Sequence, residues 1–160
     1  MILVTVGMQL GFDRLIEAMD ALAPSLNHEV IAQIGKGSYQ PRNMDARSEI
    51  APDEFEELVK RCDVIVSHAG IGTVLTAQRF SKPIVLFPRR HSHGEHRNDH
   101  QVATVRHLEG RSGIVVAMDE TELAAAIEMA RQIGAAHAVR SPTASQLHEA
   151  VARFIETGAI

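Results

Sequence analysis

Cysteine is almost missing from this chain. Cys62 is the single example in 160 residues, so no disulfide can form within it, which fits a reducing compartment. Cys62 follows Phe55, Leu58 and Val59 at helical spacing and reads as a buried structural thiol. Long apolar runs are also absent, and nothing approaches the roughly 20 residues of a membrane span. The apolar start, Met1 to Val6, has no basic flank and is broken by Gly7 and Gln9, so a signal peptide is not expected. Positive charge is not in excess. The net charge of -4 excludes nucleic acid as an expected partner. With no repeat, linker or low-complexity stretch, residues 1 to 160 read as a single domain, and 45% hydrophobic residues give it a substantial core.

What is present is an alternation of short apolar runs and helix-period segments. Met1 to Val6 reads as a strand, and Phe12, Leu15, Ile16, Met19 and Leu22 mark one helix face, ended by Pro24 and Asn27. Glu29 to Ile34 is a second strand, and residues 39 to 47 read as a loop. An extended piece near Glu49 and Ile50 precedes Pro52, which suits the first turn of a helix. Strands at 63 to 67, 84 to 87 and 113 to 117 follow. Helices follow each of them, the last two opening at Asp119-x-x-Glu122, a capping-box pattern, and at Ser141-Pro142. The closing helix carries Leu147, Val151, Phe154 and Ile155 on its buried face. This alternation predicts an α/β fold, a Rossmann-like doubly wound parallel sheet covered on both faces. Ligands of such sheets bind beyond the carboxyl ends of the strands.

Three loops at those ends are candidates. Ser67-His68-Ala69-Gly70-Ile71-Gly72-Thr73 is strand, glycine loop, then helix start. Gly70 and Gly72 allow close backbone approach, and free N–H groups with the helix dipole suit a phosphate or diphosphate. Thr73 and Thr76 add hydroxyls on the first turns. A tight turn that binds nothing is the competing reading. The loop is neither a dinucleotide fingerprint, because Leu75 fills the third glycine position, nor a P-loop, because no Gly-Lys-Ser/Thr follows. Residues 88 to 111 hold five arginines against three acids and five of the nine histidines, a +2 segment in a remainder of -6. A locally basic loop fits an anionic ligand. His91, His93, His96 and His100 are spaced at i, i+2, i+5 and i+9, which matches no familiar zinc motif, so no metal is expected. The third loop, Gly7-Met8-Gln9, directly follows the first strand. Asp13 and Arg14 after it read as helix-capping or surface-pairing residues.

Together these loops resemble one family. Ser67-His68-Ala69-Gly70-x-Gly72-Thr73, Lys82-Pro83 and Gly94-Glu95-His96-Arg97-Asn98-Asp99-His100-Gln101 look like the C-terminal, donor-binding domain of family 28-type glycosyltransferases. The opening Val4-Thr5-Val6-Gly7-x-Gln9-x-x-Phe12-Asp13-Arg14-Leu15 is similar to small stand-alone subunits of two-part bacterial exopolysaccharide enzymes. These are related to the catalytic subunit of the eukaryotic lipid-linked N-acetylglucosaminyltransferase. The resemblance covers about residues 1 to 115 and implies one half of a GT-B enzyme.

By that resemblance, Gly7, Met8, Gln9, His68, Ala69, Gly70, Gly72 and Thr73 surround the donor diphosphate. Ile50 contacts the uracil through its backbone, His100 and Gln101 contact the donor sugar, and Glu95 and Asn98 support the loop. Thr76 stands where many relatives carry an acidic residue for the ribose, Met8 where they carry threonine and Gly11 where they carry proline. The implied function is the donor-binding catalytic subunit of an inverting UDP-sugar glycosyltransferase acting on a lipid-linked sugar acceptor, in exopolysaccharide or glycan synthesis. It implies no cofactor besides the UDP-sugar donor. It also implies a membrane-anchored acceptor-binding subunit and a cytoplasmic location at the inner face of the membrane through that partner, with a homodimer left open. His68 is the local candidate for a general base, with a donor-contact or structural role preferred. A non-catalytic sugar-nucleotide-binding or assembly subunit is the alternative, and a complete epimerase or hydrolase a third reading.

Overall fold

The structure is a computed structural model and describes residues 1–136. Its strands are β1 (Ile2–Thr5), β2 (Val30–Gln33), β3 (Asp45–Arg47), β4 (Val64–Ser67), β5 (Ile84–Leu86) and β6 (Ile114–Val116). Between and after them run α1 (Asp13–Leu26), α2 (Pro52–Arg61), α3 (Ile71–Arg79), α4 (His100–Leu108) and α5 (Glu120–Ala136). The strands form one parallel sheet in the order β3-β2-β1-β4-β5-β6. This is the Rossmann-like α/β fold that the alternation predicts. Among the described residues, no helix is long and apolar enough to cross a membrane.

Side chains alternate across the sheet, and both faces are apolar. Val4, Ala32, Val66 and Val85 pack with Leu15, Met19 and Ile127, so α1 and α5 cover one face. Leu3, Ile31, Ile65 and Ile84 pack with Leu58, Val74 and Val105, so α2, α3 and α4 cover the other. Burial on both faces is why these strands read as unbroken hydrophobic runs. Cys62 is buried, and burial pushes its thiol up to about 11, as a structural thiol requires.

Two elements depart from the sequence reading. β3 lies at 45–47, inside a stretch that reads as loop, while the piece near Glu49 and Ile50 is not a strand. As an edge strand paired only with β2 it needs no apolar alternation, and Asp45-Ala46-Arg47 offers none. Pro24 does not end α1, which continues to Leu26 and stops at Asn27 in the left-handed conformation, φ 52°. A proline here removes the hydrogen bond to the carbonyl of Asp20. Asn43 Nδ2 donates to that carbonyl instead at 3.1 Å. α5 does begin as its pattern predicts: Asp119 accepts from Thr121 N at 2.9 Å, and Glu122 accepts from Met118 N at 2.7 Å. The expected helix from Ser141-Pro142 lies outside the described residues.

Asp20, 3% exposed, organises the approach to β3. Its carboxylate accepts from Tyr39 Oη at 2.9 Å, Arg42 N at 2.9 Å and Asn43 N at 2.7 Å. Burial alone pushes its pKa up, but these hydrogen bonds outweigh it and hold it below the ordinary value of 3.8. A depressed folded pKa means the contribution is complete above the unfolded pKa and is lost as pH falls through it toward the folded value. Asp20→Ala should lower the unfolding free energy by about 2–3 kcal/mol at pH 7, with a smaller loss on acidification below pH 4 than wild type. Urea titrations at several pH values measure both.

Candidate functional site

Parallel strands bring all their carboxyl ends to one edge, and this sheet reverses direction between β1 and β4. That reversal is where such folds open a crevice. The loops after β1, β4 and β5, three neighbouring strands, converge on it.

After β4 the chain turns into α3 with Gly70 as the N-cap, which has no side chain to cap the helix. Val74 N bonds to Gly70 O at 3.3 Å, while the N–H groups of Ile71, Gly72 and Thr73 donate to no acceptor among the described residues. Three free donors at a helix start with the positive end of the dipole favour an anion. The two glycines of the turn have different reasons. A Cβ on Gly72 would meet nothing within 4 Å, so here the bare backbone lies open. A Cβ on Gly70 would overlap His68 Nε2. Gly72 thus leaves its backbone open to an approaching group, whereas Gly70 is a glycine because the His68 imidazole occupies its side-chain space. Thr73 has no hydrogen-bond partner for its hydroxyl among the described residues, while Thr76 Oγ1 donates to Gly72 O at 2.9 Å within the helix.

The loop after β1 starts at Gly7 with φ 76°, the left-handed region that favours glycine. A side chain at Gly7 would also strike His68, 2.9 Å from Cε1. Met8, Gln9 and Leu10 are exposed. The N–H groups of Met8 through Phe12 donate to no acceptor among the described residues. The carbonyls behave oppositely: Val6 O and Leu10 O accept from Arg89 Nη2 at 2.8 and 2.9 Å. Gly11 packs backbone to backbone on the β2 loop, where a Cβ would be 2.6 Å from Gly37 Cα. That contact has no space for the proline that relatives often carry where this chain has Gly11.

The loop after β5 supplies the supports. Gln101, buried on the first turn of α4, accepts with one oxygen from Ala69 N at 3.2 Å and Arg89 N at 3.0 Å. Its neighbour His100 is exposed, with its backbone N–H bonded to Asn98 Oδ1 at 3.2 Å. Both Glu95 oxygens are engaged, by Arg14 Nε at 2.5 Å and Nη2 at 2.9 Å, and by Arg90 N at 2.8 Å. Burial raises the Glu95 pKa, but these donors outweigh it and keep the carboxyl below its ordinary range. The guanidinium of Arg14 also lies over the Phe87 ring, 4.4 Å from its centroid. Asp13 accepts from Ser38 N at 3.0 Å. Neither Asp13 nor Arg14 is the helix cap or surface pair that the sequence suggests, because each faces a neighbouring loop. Among the described residues no three His, Cys, Asp or Glu side chains converge as a metal site would require. Ile50 lies beyond β3 with its side chain in the core and its backbone groups unpaired among the described residues.

His68 is half-buried between Gly7 and Gly70, with Nδ1 3.3 Å from Ser67 Oγ. Burial, helped by the Arg89 charge and opposed by a backbone hydrogen bond with Thr5, pushes its pKa down to about 4. A general base works best with a pKa near the operating pH. This imidazole is neutral and weakly basic, which suits a hydrogen-bonding or space-filling role.

The chain matches the glycosyltransferase family 28 C-terminal domain over residues 1–155. It belongs to that family. No curated protein matches it. Among solved structures it is similar to the glycosyltransferase of kitacinnamycin, with 19% identity, a TM-score of 0.60, and coverage of 92% of this chain and 42% of that one. The spinosyn forosaminyltransferase SpnP gives 20% identity and a TM-score of 0.53 over 94% of this chain and 43% of that one. SsfS6 of Streptomyces sp. SF2575, solved with thymidine diphosphate, gives 21% identity and 0.51 over 84% and 37%. This family 28 domain therefore spans less than half the length of the structures it resembles. Their shared architecture is that of one half of a GT-B glycosyltransferase.

Within this family 28 domain the structure gathers Gly7, Met8, Gln9, His68, Ala69, Gly70, Gly72, Thr73, His100 and Gln101 in the loops at one mouth. Glu95 and Asn98 brace that mouth, and Ile50 follows β3, three places from β4 in the sheet. Sequence reasoning missed Arg14 and Arg89 as organising residues. The available signal was an arginine directly after the apolar run 84–88, where the pattern predicts burial.

The neutral His68 has a measurable consequence. Its NMR titration should show a pKa near 4, against 6.5 for an ordinary histidine. Because the folded value is depressed, its stabilising contribution is complete above about pH 6.5 and is lost as pH falls toward 4. Gly70→Ala should displace the ring and move that titration toward 6.5. An unshifted His68 in this variant would contradict the packing described.

Proposed function

We propose that this chain is the donor-binding catalytic half of an inverting UDP-sugar glycosyltransferase, completed by a membrane-anchored subunit that holds a lipid-linked sugar acceptor. One observation carries the reading: two runs of backbone amides with no acceptor among the described residues, Met8 to Phe12 and Ile71 to Thr73, follow β1 and β4, the strands between which the strand order reverses. Amides in that arrangement bind phosphate oxygens. The thymidine diphosphate in SsfS6 supports a nucleoside diphosphate as the ligand class. The chain covers less than half of the similar structures, and the proposal assigns the acceptor half to a partner, in an exopolysaccharide or related glycan enzyme.

In the proposed reaction an acceptor hydroxyl attacks the anomeric carbon from the face opposite UDP. The new C–O bond forms as the glycosidic C–O bond breaks, and its electron pair leaves on the β-phosphate oxygen. The acceptor proton passes to a base on the partner. Negative charge grows on the leaving diphosphate, and preorganised amides stabilise it most at that moment. These donors do the work that a metal does elsewhere, so the transfer proceeds without one in the donor site. His100, exposed at the start of α4, reaches toward the donor sugar, while Gln101 holds the loops through its oxygen.

UDP at 100 times its Kd should raise the stability of the chain by about 2.7 kcal/mol, seen as a higher thermal midpoint. Uridine should do much less. Gly72→Val, which adds a side chain in open space, should keep the unliganded midpoint and reduce UDP affinity roughly tenfold or more. Equal UDP affinity in this variant would remove the amide site. With the partner co-expressed, UDP release from a UDP-sugar should depend on His100. Full turnover by His100→Ala would favour an assembly role for the chain.

A further inference from the structure

Arg89 is 3% exposed and bonds no carboxylate among the described residues. One nitrogen, Nη2, bonds the carbonyls of Val6 and Leu10 and approaches Gly11 O at 3.4 Å. Nε is buried and has no hydrogen-bond partner among the described residues. The guanidinium carbon stands 4.9 Å from the centre of the Phe12 ring. A charged group this buried is ordinarily paired, and leaving it unpaired is costly. A fold that needed only a brace for the loop would hold it at lower cost with a neutral donor.

The position of the bonds is informative. Val6 and Leu10 are the two ends of the segment Gly7-Met8-Gln9, so Nη2 closes its neck. Drawing the Leu10 carbonyl inward points the Gly11 N–H of the same peptide unit away from it. Gly11 N lies in the run Met8 to Phe12 that has no acceptor among the described residues. The same residue is tied to the other amide run, because Gln101 joins Arg89 N to Ala69 N through one oxygen. The side chain of Arg89 thus holds the first loop, while its backbone N–H and Gln101 tie the same residue to the β4 loop.

We propose that Arg89 is a positioning residue for anion binding: its buried charge closes the neck of the 7–9 loop, turns the loop amides outward and supplies the positive potential that a diphosphate completes. Arg89 remains charged at neutral pH, although burial pushes its pKa down to about 10. The inference rests on the anion site of the proposed function but not on the identity of the nucleoside.

The test compares wild type with Arg89→Met, which removes the charge and the donors, and Arg89→Lys, which keeps a charge. Arg89→Gln, with an NH2 donor and no charge, replaces the methionine variant if that variant does not fold. The probes are inorganic pyrophosphate, UDP and uridine, followed by calorimetry and by amide NMR shifts of residues 8–12 and 71–73. Arg89→Met should weaken pyrophosphate and UDP on the order of tenfold or more and flatten the salt dependence of binding. Arg89→Lys should recover part of the loss, and the weak affinity for uridine should change less than twofold. A folded Arg89→Met or Arg89→Gln variant that binds pyrophosphate like wild type overturns the proposal. An equal loss for uridine also overturns it, because that is the mark of a general structural brace. Wild type that binds pyrophosphate at these amides but not UDP removes the nucleotide reading and leaves Arg89 to be judged on pyrophosphate. Wild type that binds neither removes both.

Discussion

A guanidinium buried beneath the first loop has to find acceptors, and in this fold it finds them in the backbone. The carbonyls of Val6 and Leu10 turn toward Arg89, and a peptide unit that turns its oxygen inward turns its N–H elsewhere. The orientation of the loop after β1 follows from that constraint. Gln101 extends it to the loop after β4 by accepting from Ala69 and Arg89 with a single oxygen. Arg14 extends it to the β5 loop by clasping both oxygens of Glu95. Three loops that come from separate strands are held as one surface by three side chains, none of which needs to touch a ligand.

Beneath that surface the sheet provides only position. Strands buried on both faces cannot shift register without moving apolar side chains on each side. The carboxyl ends of β1, β4 and β5 are therefore fixed relative to one another before any loop is considered. The free helix start at Gly70 is tolerated because water can satisfy amides at an exposed helix end. Membership of the family 28 glycosyltransferases and the covering of less than half of similar structures fit this arrangement.

Much of this was legible in the residues. Near-continuous apolar runs announced the buried parallel strands, and Ser67 to Thr73 announced a strand, a turn and a helix start. The misreadings have separate physical causes. β3 carries no apolar signal because an edge strand is held by backbone pairing with β2. Pro24 stays inside α1 because Asn43, 19 positions later, supplies the missing donor, and periodicity cannot see so distant a partner. Gly70 and Gly72 look equivalent in sequence. Only the position of His68 shows that one makes space for a ring and the other for an open cleft. Asp13 and Arg14 look like ordinary first-turn residues because their partners, Ser38 and Glu95, come from other loops.

The contact between Gly11 and Gly37 carries a consequence for how this surface can change. The two backbones touch where a side chain on Gly11 would fall 2.6 Å from Gly37 Cα, and one on Gly37 would strike the Asp13 carboxylate. Neither loop can accept a larger residue at these points without rebuilding the other. In a lineage drifting by single substitutions, such sites are mutually conditional. A relative with proline at the first position must carry a differently shaped second loop. Grafting either segment alone between relatives would import a collision, so recombination has to move them as a matched pair.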